Sequence, residues 1–283
     1  MTTTVQSEPA ASTTASTTTS TSTPTPTPTA ASAPTRIPVR RLVAVELRKS
    51  FDTRSGFWLL VGTGLAAVAA TVLVIAFAPA DQLSYGTFTL AIGKPMSILL
   101  PLIALLSVTA EWTQRSGLTT FTLVPHRGRV IVAKGIAMLL VGVVAMVLAF
   151  PLGAIGNLAG TTIHGVDPVW DQTAADLAYY ALANTLLVAV GFMLGVLVRA
   201  SAGAIVAYFV YAFVAPTLLT LLAMGQDWFR KAQPWVDPTY SQGALFHGGF
   251  GAQQWTQLAV TSAAWLVAPL VVGVVTVLRS EVK

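Results

Sequence analysis

The residues that could do chemistry cluster in one polar connection, Glu111 to Lys134, which lies between two apolar stretches. It carries the cations Arg115, Arg127, Arg129 and Lys134 against a single acid, Glu111. Leu118, Phe121, Leu123 and Val124 supply apolar knobs, and Gly117, Pro125 and Gly128 divide it into short pieces. Cations and hydrophobic anchors side by side are the chemistry of a contact surface. Catalytic constellations are missing. No Gly-x-x-x-x-Gly-Lys-[Ser/Thr] phosphate loop occurs, because Gly93-Lys94 runs into Pro95 within an apolar stretch. ATP hydrolysis by that route is excluded. No His-Glu-x-x-His occurs either, and His126, His164 and His247 read as polar loop residues on opposite sides of a membrane, with no metal site between them. With no cysteine there is neither a disulfide framework nor thiol chemistry.

Two charges stand apart. Lys94 falls inside an apolar stretch, where an ionisable residue marks a functional site by default. It either snorkels outward or makes a structural hydrogen bond, or it lines a transport path and meets an anionic group. Glu46 falls inside the apolar arc of Arg36 to Ser55, a segment that otherwise reads as an amphipathic helix in the headgroup region. At about 100° per residue, Val39, Leu42, Val43, Leu47 and Phe51 share one face, and Arg41, Arg48, Lys49 and Asp52 fall on or near the other. The Glu46 carboxylate therefore needs a cationic partner or a path to water.

The elements that must position these groups are membrane spans. The chain is 54% hydrophobic and 10% charged, with a mean hydropathy of +0.70, whereas soluble domains carry about 25% charged residues. Six stretches approach the roughly 20 residues that cross a bilayer: 57–78, 88–110, 135–156, 177–198, 204–224 and 257–278. The expected fold is an all-α membrane protein. Six transmembrane helices follow an N-terminal interfacial helix (36–55) and a disordered tail (1–35) rich in Thr, Ser and Pro. That tail lacks the features of a signal peptide. Of the 16 Lys and Arg, all but Lys94, Arg230 and Lys231 fall on one side when the N-terminus is placed in the cytoplasm. The positive-inside rule then puts both termini inside. The net charge of +5 clusters beside the spans, which argues for a lipid bilayer and against nucleic acid. Trp228, Trp235 and Trp255 in the outer loop 225–256 suit an aromatic belt. Pro95 and Pro101 are expected to kink the second span. Gly156-x-x-x-Gly160 and Gly191-x-x-x-Gly195 permit close helix approach, within one chain or between two.

An acid closing the second span, Gly117-Leu118-Thr119-Thr120, Pro125-His126-Arg127 and Lys134 opening the third span together resemble the type-2 ABC transporter permeases. The layout is similar from Arg36 to Lys283, and the ending Arg279-Ser280-Glu281-Val282-Lys283 resembles actinobacterial members. The resemblance implies a permease that exports a substrate across the cytoplasmic membrane. It implies ATP and magnesium on a separate ABC ATPase subunit, a second permease copy, and no catalysis or cofactor in this chain. It places a short coupling helix in the 111–134 loop, so Glu111, Arg115, Gly117, Phe121, Leu123, Pro125, Arg127 and Lys134 become ATPase-contact or coupling residues. Glu46, Arg48 and Lys49 fall on an acid-then-basic interfacial helix that many members share. A secondary transporter and a non-transporting membrane anchor or assembly protein are the alternatives. The absence of acids in mid-span and of an obvious internal repeat weighs against the first of these.

Overall fold

The computed structural model describes residues 38–113, 127–246 and 250–279, and no strand occurs among them. Helix α1 (Val39–Asp52) is followed by α2 (Arg54–Phe77), α3 (Tyr85–Thr113), α4 (Arg127–His164) and α5 (Ala174–Val198). Then come α6 (Ser201–Gly225), two short helices α7 (Asp227–Val236) and α8 (Pro238–Gly243), and α9 (Ala252–Arg279). Helices α2, α3, α4, α5, α6 and α9 are long and apolar enough to cross a membrane. The chain is a multi-pass membrane protein on that ground, because a helix satisfies its own backbone hydrogen bonds where no water can. Each span outruns its apolar stretch. The largest difference is α4, which begins at Arg127 where Gly135 was expected and ends at His164 where Gly156 was expected. Polar residues continue a helix once its ends leave hydrocarbon, so the apolar run underestimates its length. His164 is accordingly the last residue of a helix and not a loop residue, with Nε2 2.9 Å from the Ile75 carbonyl oxygen.

The spans form an inner and an outer set. About half of the apolar window of α3, α4 and α5 is buried (50%, 44% and 56%), against 17% for α2, 11% for α6 and 22% for α9. Helix α3 is central and packs most extensively against α5, then against α2, α4 and α6. Glycines allow that approach. A Cβ on Gly191 would lie 2.2 Å from the Pro101 carbonyl oxygen, and one on Gly195 2.9 Å from that of Leu105. The Gly191/Gly195 pair therefore packs within one chain. Helix α2 buries only Thr63, Ala67 and Thr71, four residues apart on one narrow stripe. Its threonine hydroxyls donate back to Leu59 and Ala67 carbonyls, so no polar group is left open.

Two π turns interrupt the outer spans, at Val210–Val214 in α6 and Ala263–Val267 in α9. Both end on the valine of the same tripeptide, Val-Ala-Pro, at 214–216 and 267–269. Proline lacks an N–H and its ring clashes with the carbonyl four residues back. The widened turn takes up that clash, with Ala215 N–H donating to Val210 and Ala268 N–H to Ala263.

The two ends of the bundle are closed differently. At the end away from α1, Asp171 caps α3, accepting from Gly86 N–H at 2.7 Å and Ser84 Oγ at 2.8 Å. Thr173 and Asp176 form a capping box on α5. The segment expected as an outer loop is largely helical, and Trp265 of α9 donates its indole N–H to the Val236 carbonyl there. Trp228, Trp235 and Trp255 are all exposed.

Candidate functional site

The most unusual polar arrangement lies at the α1 end. Helix α1 is not a span, yet Glu46 on it is 5% exposed. Lys134 of α4, 6% exposed, donates to Glu46 Oε2 at 2.5 Å. Lys49 donates to Oε1 at 2.7 Å from one turn away on α1 itself. Both carboxylate oxygens are thus engaged by ammonium groups. Burial pushes the Glu46 carboxyl up, but the two lysines more than offset it and hold it below the ordinary carboxylate range. Of the two readings of Glu46, a cationic partner or a route to water, the structure selects the partner.

Local sequence explains the approach. Val43 is buried, and Val39, Leu42 and Leu47 pack on the main core cluster, so α1 turns this face toward α4 and α2. Glu46 lies in the middle of that arc and must go with it. Phe51 does not follow; it is 56% exposed, at the edge of the arc in the last turn. Arg48 is exposed and pairs with Asp52 at 3.0 Å along the helix.

Behind Lys134 lies a cleft of about 20 Å³, room for roughly one water. It is lined by Val108 and Trp112 of α3, Val130 and Ile131 of α4, Phe192 and Val196 of α5, and Val277 of α9. The Arg199 guanidinium stands 5.7 Å from the Trp112 ring centroid, a cation–π contact. Arg199 is in the left-handed region (φ 59°) and ends α5, where the chain must reverse at once into α6. Ser201 at the start of α6 donates to Thr109 Oγ1 at 2.9 Å. Four spans line this cleft and a fifth, α6, joins α3 beside it, and α1 is tied to α4 by a charge pair.

Of the other sequence candidates, Arg115, Gly117, Phe121, Leu123 and Pro125 lie outside the described residues, as do His126 and His247. The side chains of Glu111 and Arg127 lie outside them too, although α3 runs through Glu111 and α4 starts at Arg127. Lys94 is exposed on α3. No group of three or more metal-ligating side chains occurs among the described residues. Sequence reading missed that Glu46 and Lys134 belong together. The signal present was Glu46 on an apolar arc, without any indication of which cation it would meet. No protein-family model matches this chain, and no curated protein shows significant similarity to it.

Proposed function

We propose that the chain is the permease subunit of an ATP-driven ABC transporter, of the export type, in the cytoplasmic membrane. It works with a separate ATPase subunit, which carries ATP and magnesium, and with a second permease copy. Both termini face the cytoplasm, and α1 lies in the headgroup region with Arg40, Arg41 and Arg48 turned outward. The observation that carries this reading is the buried Glu46–Lys134 pair. The connection 114–126 joins α3 to α4, and Lys134 lies two turns into α4. A push on that connection passes along α4 and through Lys134 to α1, so span and surface helix move together. That is what coupling to an external ATPase requires. In this reading Phe121 and Leu123 enter a groove on the ATPase, where buried aromatic anchors dominate binding. Glu111, Arg115, Gly117, Pro125 and Arg127 shape and charge the contact.

The test is co-expression with a candidate ABC ATPase subunit. The purified chain alone hydrolyses no ATP, and the complex does. Phe121→Ala leaves the chain in the membrane but weakens co-purification or uncouples hydrolysis from transport. Unchanged assembly, ATPase rate and transport in both Phe121→Ala and Glu46→Gln would overturn the coupling role.

A further inference from the structure

Lys94 is an exposed cation inside a membrane-span helix, and its amine has no partner among the described residues. It lies about 9 Å along the axis from Phe88, where the apolar stretch begins, at 1.5 Å per residue. An extended lysine stem covers about two thirds of that distance. Against hydrocarbon an ammonium at this depth is among the costliest placements a span can carry. The described spans hold no Asp or Glu at comparable depth, so among the described residues they offer no counter-charge. On α3, Leu90 and Lys94 are the only exposed side chains among the described residues, and they lie one turn apart on one face. Half-buried Ser97 and Ile98 continue that stripe, and Tyr208 of α6 borders it by donating to the Ser97 carbonyl at 2.8 Å. The stripe is therefore mainly apolar, with one positive charge in the middle that has no partner among the described residues.

We propose that this stripe of α3 binds an anionic amphiphile, with the acidic head group on Lys94 and the apolar body along Leu90 and Ile98. As a statement about what is transported, it rests on the permease reading and names the substrate class. As a binding site it stands alone.

The measurement is equilibrium binding of radiolabelled dodecyl phosphate to the full chain in neutral maltoside micelles. Lys94→Gln should weaken binding at least about tenfold, the loss of one charge-assisted contact. Lys94→Arg should retain it, and Lys231→Gln, an exposed cation off the stripe, should leave it unchanged. Dodecylphosphocholine should compete poorly. Competition by phosphatidylglycerol would identify a membrane lipid as the source of the anion. Its failure to compete, with Lys94 still required, would identify a ligand free of the bilayer. Equal binding by Lys94→Gln, or equal preference for dodecylphosphocholine, overturns the proposal. No ATPase is needed for this assay. A failure here therefore leaves the permease reading standing, and a failure of ATPase co-purification leaves this result intact.

Discussion

Glu46 and Lys134 pair with each other through side chains no more than 7% exposed, and Lys49 is a second partner of the carboxylate. Removing one partner from such a pair leaves the other buried charge less compensated, a change that costs up to about 3 kcal/mol. Lys134→Ala should therefore lower the melting temperature in detergent markedly. Glu46→Leu combined with Lys134→Met should recover most of the loss, because matched apolar replacements of buried pairs are often neutral. Thermal melts of the wild type, Lys134→Ala and the double variant check both expectations. The pair also sets a pH dependence. The Glu46 carboxyl titrates below its ordinary value of 4.5 in the folded chain. The unfolded chain thus takes up its proton first as the medium acidifies. The stabilisation is complete above 4.5 and is lost as pH falls through the folded value. Melts of the wild type and Glu46→Gln should differ at neutral pH and converge only in acid.

Among the elements, α3 and α5 approach most closely, and Gly191 is the contact point. An alanine there would drive its methyl group into the Pro101 carbonyl, a backbone atom that cannot turn aside. Gly191→Ala should cost several kcal/mol, on the scale of about 1–3 kcal/mol or more for overpacking. Gly64→Ala on α2 meets nothing within 4 Å and should be neutral, or stabilising by up to about 1 kcal/mol from helix propensity. Thermal unfolding of the two variants side by side checks the contrast. If both are neutral, the α3–α5 packing described here is wrong. The paired π turns of α6 and α9 belong to this scale as well. Each lies just before its own proline, in two of the three outer spans.

For the whole molecule, six spans place the α1 end and the α4–α5 connection on opposite sides of a membrane. The absence of cysteine makes this directly measurable, since any introduced thiol is the only one. Arg40→Cys and Asp167→Cys are both at exposed positions. With the termini inside, as proposed, a membrane-impermeant maleimide in intact cells should label position 167 and spare position 40 until the membrane is opened. Labelling of both from the same side would remove one crossing and overturn the six-span arrangement.

Composition and the length of the apolar runs alone determined that the fold is helical and crosses a membrane six times. A bilayer demands about 20 apolar residues per crossing and tolerates no unpaired backbone. The same patterning could not sort the inner helices from the outer ones. In a membrane both kinds are apolar on every side, so periodicity carries little information about which face is packed. The Gly191/Gly195 pair was visible as small residues, but its partner was not, because small residues only permit an approach. Helix ends at Arg127 and His164 lay beyond the apolar runs, where hydropathy no longer reports on the backbone. The sharpest case is Glu46. Its place on an apolar arc showed that something must neutralise it, a matter of local geometry. Only packing decided that Lys134, 88 residues away, would do so. That choice depends on how α1 lies against α4, and helix docking is set by side-chain shape across the interface, which a linear sequence does not encode residue by residue.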